Sequence, residues 1–153
     1  LVSYGSPFFM QSIHKRLNHV ERVSAEVSGG LDSTTLALVA ADKLKESKRN
    51  LIGITLKGLS PHEFEDVNLA MESCQSRDNI YHLILEPGEY PLPYESMDEV
   101  SLTDEPIIFL TTYGWINSLI EKACSFSSEL HISGDGGDNV LTDRRFVFLW
   151  YRL

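Results

Sequence analysis

Ser28-Gly29-Gly30-Leu31-Asp32-Ser33-Thr34 lies between a short apolar alternation, Val23 to Val27, and a helical run that takes over by Thr35. Adjacent glycines let a backbone turn sharply and approach a ligand with no Cβ in the way. The amides of a first helical turn have no intrahelical partner, and Ser33 and Thr34 add hydroxyl donors. Such a helix start attracts anions, phosphate above all. A carboxylate inside an anion site needs a metal beside it, so Asp32 reads as a Mg²⁺ ligand facing phosphates. The plainer alternative is a glycine turn with Asp32 as a solvated first-turn charge. Ser, Asp and Ser-Thr together favour the anion site. No GxxxxGK[ST] run occurs anywhere in the chain, so the loop is not of the Walker type.

The 153 residues read as one domain, 1–153, long enough to bury a core. A formal charge of −9 and a pI near 4.9 argue against a nucleic-acid surface, which would be basic. Cys74 and Cys124 both fall in apolar helical patterns and are expected to be buried thiols of a reducing compartment. No apolar run approaches the ~20 residues that span a bilayer, and no signal-peptide layout opens the chain. The expectation is a cytoplasmic protein with neither membrane nor nucleic acid as partner.

Around the loop, periodicity predicts alternating elements. Phe9, Ile13, Leu17 and Val20 mark a helix over 7–20, followed by a strand over 23–27 and a helix over 33–45. Residues 51–56 form a near-continuous apolar strand of the kind buried on both faces. A helix over 62–76 repeats Phe64, Val67, Met71 and Cys74, and a strand follows over 80–85. His82 in that strand reads as a satisfied structural histidine, and His62 as solvent-facing. From Glu86 to Glu105 no period holds, and a long loop inside a compact domain is often functional. Pro106 then opens a helix that runs to Phe126 with Ile108, Ile116, Leu119, Ile120 and Ala123 as its apolar positions, and a last strand covers 129–132.

Strands alternating with helices predict an α/β fold with a doubly wound parallel sheet. In the order 3-2-1-4 the topological switch point lies between the first and fourth strands, where ligands bind at the carboxyl ends. One of those ends carries Ser28 to Thr34 and the other Ser133-Gly134-Asp135-Gly136-Gly137-Asp138. Two distant loops are thus expected to share one crevice. There Asp138, with Asp32, would hold Mg²⁺ on a pyrophosphate.

The motif SGGLDST resembles the pyrophosphatase loop (PP-loop) of the ATP-pyrophosphatase superfamily, with its adenine nucleotide alpha hydrolase-like fold. SGDGGD after a strand resembles the SG-acid-G-x-D segment of the asparagine-synthetase C-terminal domain, and the likeness extends over roughly residues 10–142. The pairing of VSAEVSGGLDST with SGDGGDN is similar to lasso-peptide cyclases within that family. The resemblance implies ATP and Mg²⁺ as cofactors. Ser28, Gly29, Gly30, Asp32, Ser33 and Thr34 would contact ATP phosphates, and Asp32 and Asp138 the metal. Val27, Leu56, Ser133 and Gly134 would line the adenine pocket. Asp135 takes the place of a family glutamate and is the candidate catalytic residue.

It also implies an AMP-forming amide ligase in which a carboxylate is adenylated and then attacked by ammonia or an amine. Its substrate would be a small-molecule or peptide carboxylate, and its partner a glutaminase domain or a peptide-recognition protein. The broad assignment is asparagine biosynthesis, the narrower one lasso-type isopeptide closure. A third reading is a catalytically inactive nucleotide-binding fragment. The family's glutaminase domain, with its leading cysteine, is absent from this chain. Its downstream lysine is missing too, and an apolar run, Phe146 to Tyr151, stands where a glycine-aromatic segment is usual. The chain is therefore expected to be truncated at its C-terminus.

Overall fold

A computed structural model of the chain describes residues 7–58, 60–91, 95 and 112–135. Its elements are α1 (Pro7–Leu17), β1 (Val23–Glu26), α2 (Leu31–Glu46), β2 (Leu51–Leu56), α3 (Pro61–Gln75), β3 (Ile80–Leu85), α4 (Tyr113–Ser125) and β4 (Leu130–Ile132). The four strands form one parallel sheet in the order β3-β2-β1-β4. That is the expected order, and it places the switch point between β1 and β4.

Alternation along β1 divides the core. Val23, Ala25 and Val27 face α1, α2 and α3, packing with Leu17, Leu44, Leu51 and Cys74. Ala37, Ala40 and Ala41 form the buried stripe of α2, and small side chains let that helix lie close on the sheet. Across the sheet, Ile52, Ile54 and Leu56 meet Leu119, Ala123 and Trp115 of α4. Tyr90 packs edge-on against Trp115, whose Nε1–H donates to the Pro91 carbonyl at 2.9 Å. The chain leaving β3 is thereby pinned to α4.

Two helix ends carry the same cap. Arg49 N–H reaches the Leu44 carbonyl and Lys48 N–H that of Lys45, while Lys48 takes φ 58°. Ser128 bonds Ala123, Ser127 bonds Cys124, and Ser127 takes φ 54°. Both are Schellman motifs with a side chain in the left-handed position usually held by glycine.

Four sequence expectations need correction. α2 begins at Leu31, not residue 33, because Gly30 is its extended N-cap (φ −67°, ψ 158°). Phe64 is exposed, and its ring sits 5.7 Å from Lys57 Nζ. Ile120 is exposed, and so is Cys124, because the buried stripe of α4 runs through Leu119 and Ala123 and each follows one of these by about 100° around the helix. Cys74 is buried as expected, and His82 is half-buried with its Nε2 bonded to Thr55 Oγ1 at 2.7 Å. The side chain of His62, the loop over 96–105, the helix start at Pro106, and Asp138 with the residues after it lie outside the described residues.

Candidate active site

β1 ends in a loop that braces itself before the helix begins. Ser28 N–H donates to Ser33 Oγ (3.1 Å), the two serine hydroxyls share a hydrogen bond (2.7 Å), and Gly30 N–H donates to Ser28 Oγ (3.2 Å). The first main-chain bond of α2 is Thr34 N–H to the Gly30 carbonyl (3.2 Å), and no side chain caps the helix. The amides of Leu31, Asp32 and Ser33 therefore stand at an uncapped, positively polarised helix start. Thr34 Oγ1 is buried and has no hydrogen-bond partner among the described residues.

The two glycines do different work. Gly29 has φ 85°, and a Cβ there would lie 2.0 Å from the Asp66 carbonyl oxygen of α3. Its lack of a side chain answers to the approach of α3. Gly30, with ordinary φ, has only Ser28 Oγ among the described residues within reach of a Cβ, at 3.2 Å, so its open side is where the loop can admit an anion.

The loop after β4 arrives at the same place. A Cβ on Gly134 would lie 2.8 Å from Ser33 Cβ and 3.0 Å from Ser33 N, so the two loops touch at the start of α2. The carboxyl ends of β1 and β4 thus share a crevice, as the strand order predicted. Of the residues expected there, Ser28, Gly29, Gly30, Asp32, Ser33, Ser133, Gly134 and Asp135 lie on these two loops. Val27 does not open onto the crevice: its side chain is core, its N–H bonds the Ile54 carbonyl, and its carbonyl accepts from Thr55 Oγ1.

On the α4 side of the crevice lies a cavity of about 290 Å³. Its apolar walls are Leu56 of β2 and Trp115, Ile116, Leu119 and Ile120 of α4; Glu26, His131, Ser133 and Asp135 supply the polar part. Sequence reading passed over Glu26. The available signal was a carboxylate inside a buried strand, on the face opposite Val23, Ala25 and Val27. Burial raises the pKa of Glu26, the charge of Asp135 raises it further, and a hydrogen bond from Ser133 opposes both. Ser133 Oγ also accepts the Asp135 main-chain N–H at 3.0 Å, so one hydroxyl meets both the Glu26 side chain and the Asp135 backbone. His131 Nδ1 is held by Ser24 Oγ (2.8 Å), itself bonded to Ser128 Oγ (2.9 Å); burial lowers the His131 pKa.

A metal would have Asp32 as its described donor. That carboxylate sits in the first turn of α2 with no hydrogen-bond or ion-pair partner among the described residues, and carboxylate oxygens suit Mg²⁺. No group of three or more possible ligands occurs among the described residues. No described helix is long and apolar enough to cross a membrane.

No curated protein matches the sequence. Among solved structures, a U34-tRNA thiolase from Methanococcus maripaludis is similar at TM-score 0.54 and 16% identity, over 95% of this chain and 54% of that one. NMN synthetase from Francisella tularensis is similar at TM-score 0.50 and 15% identity, over 82% and 53%. The chain spans about half the length of these structures, which share with it the fold of the PP-loop ATP pyrophosphatases. By sequence, the asparagine synthase family matches residues 7–144, a span that contains both loops of the crevice, and the chain belongs to that family.

Proposed function

We propose that this chain is the ATP-binding synthetase domain of an AMP-forming amide ligase. The observation that carries the reading is the uncapped start of α2, wedged between the serine-braced loop and the β4 loop at Gly134. A triphosphate laid there would meet the amides of residues 31–33 and the hydroxyl of Ser28. Thr34 Oγ1, buried and without a partner among the described residues, is a further donor behind them. Adenine would extend toward Leu56, Ser133 and Gly134.

The reaction joins a carboxylate to an amine in two steps. A carboxylate oxygen attacks the α-phosphate and pyrophosphate leaves; the loop amides take up part of the charge on the leaving group. Mg²⁺, when bound by Asp32 and Asp138, supplies charge neutralisation at the pyrophosphate oxygens. An amine then attacks the acyl carbon, the bond to AMP breaks, and Asp135 accepts the amine proton.

Within this class we favour an acceptor bulkier than ammonia. Asp135 is one methylene shorter than the family's glutamate, which leaves more room for a bulkier nucleophile than ammonia. This supports peptide cyclisation of the lasso type over asparagine formation. Exchange of labelled pyrophosphate into ATP by the full-length protein tests the ligase reading. Exchange dependent on aspartate points to asparagine synthesis, and exchange dependent on a carboxylate-bearing peptide to cyclisation. Nucleotide binding without exchange under either condition would leave an inactive binding fragment.

A further inference from the structure

β1 pairs with β2 as far as Glu26 and Ile54, and Val27 N–H adds one more main-chain bond, to the Ile54 carbonyl at 2.9 Å. The carbonyl of Val27 is met by a side chain: buried Thr55 of β2 donates to it through Oγ1 at 2.5 Å. That carbonyl shares one planar peptide unit with Ser28 N–H, which donates to Ser33 Oγ at 3.1 Å. A single peptide plane is therefore held at its oxygen by β2 and at its nitrogen by the first turn of α2. A threonine hydroxyl has only one proton to give. Spent on Val27, it leaves Oγ1 as the acceptor toward His82 Nε2, 2.7 Å away on β3. The hydrogen of that contact then sits on Nε2. The other tautomer would present a lone pair, draw the Thr55 proton away and leave the Val27 carbonyl without this donor. Burial lowers the pKa of His82, which keeps the ring neutral with a single N–H.

We propose that Thr55 and His82 are positioning residues for the loop from Ser28 to Thr34. His82, as the Nε2–H tautomer, donates to Thr55 and so directs the hydroxyl proton to the Val27 carbonyl. That fixes the peptide plane from which the loop departs, and with it the Ser28 N–H that braces Ser33. A chain of three hydrogen bonds thus runs from the edge strand β3 through β2 to the start of α2. Neither residue is among those placed against the nucleotide. The inference rests on the ligase reading only for what the loop holds; the hydrogen-bond chain does not depend on it.

Three measurements on the full chain test it: imidazole nitrogen NMR, hydrogen exchange of the Ser28 amide, and calorimetric titration of Mg-ATP. At mildly alkaline pH, His82 is expected to carry its hydrogen on Nε2 and none on Nδ1. Thr55→Val is expected to speed Ser28 exchange by about tenfold and to weaken Mg-ATP by a similar factor. The Leu51 amide, bonded to the Asn79 carbonyl at the other end of β2, is expected to exchange as in the parent. His82→Leu, altered at the half-buried end of the chain, is a second route to the same loss. Thr55→Ser and His82→Gln keep the donors and are expected to behave as the parent. A hydrogen on Nδ1 overturns the proposal, as does a Thr55→Val protein with unaltered Ser28 exchange or with parental Mg-ATP affinity. Equal acceleration at Ser28 and Leu51 also overturns it, because the loss is then one of global stability. Mg-ATP that does not bind the parent, with Ser28 released in Thr55→Val as described, refutes the nucleotide reading and upholds the positioning.

Discussion

Gly134 and Ser33 lie so close that a single Cβ on the glycine would be 2.8 Å from the Cβ of the serine. The contact joins the loop after β4 to the first turn of α2, and both proposed steps of the reaction depend on it. Gly134→Ala is expected to force the loops apart, costing about 1–3 kcal/mol and weakening ATP binding. Gly29→Ala combines a left-handed φ with a 2.0 Å approach to the Asp66 carbonyl, and is expected to cost more, about 3 kcal/mol or above. Urea denaturation of the two variants checks the ranking. An unaltered midpoint for Gly29→Ala would contradict the packing of α3 on the loop.

The two cysteines are expected to react at very different rates. Burial pushes the Cys74 thiol up to about 11, leaving almost no thiolate at neutral pH, whereas Cys124 is exposed. One equivalent of a thiol reagent is therefore consumed quickly by the native protein. Cys124→Ser abolishes that phase, and denaturant exposes Cys74.

Glu26 makes stability fall as pH rises. Its folded pKa lies above the ordinary 4.5, so the unfolded chain ionises first and the native state holds the extra proton. The favourable contribution is complete below pH 4.5 and is lost as pH climbs through the folded value. Glu26→Gln removes this dependence. Relative to the parent, its stability is expected to improve between pH 4.5 and pH 8, read from urea midpoints at the two ends. His82 and His131 have the opposite sign: burial holds both below 6.5, so their contribution is present above 6.5 and lost as pH falls through the folded values.

The caps of α2 and α4 offer a test of backbone geometry. Lys48 and Ser127 hold left-handed φ values that glycine adopts without steric cost. Lys48→Gly and Ser127→Gly are each expected to stabilise the protein by roughly 0.5–1 kcal/mol. The double variant is expected to show the sum, since the two caps share no partner. Thermal melts of the three variants measure it.

Asp135 is expected to act in the second step alone. Asp135→Asn in the full-length protein is predicted to retain pyrophosphate exchange while amide formation falls by roughly 10²–10⁴. A parallel fall in both would move Asp135 to the metal site.

Local pattern carried the order of elements and the parallel sheet, because alternation in Val23 to Val27 and helical spacing in α2 reflect burial that each segment shows alone. Strand order followed from connectivity, and with it the meeting of two loops distant in the chain. Other features depend on neighbours that periodicity does not register. Gly29 reads as a ligand-facing glycine until α3 is seen to place the Asp66 carbonyl against it. Phe64 and Cys124 fit an apolar helix period, yet both are exposed, Cys124 because it lies beside the buried stripe. Glu26 was hidden for the converse reason: in the short strand expected over 23–27 a lone acid on the face opposite Val23, Ala25 and Val27 looks like a solvated charge. Only the packing of α4 and β4 around it makes it the floor of a cavity, because a carboxylate's environment is set by what folds over it.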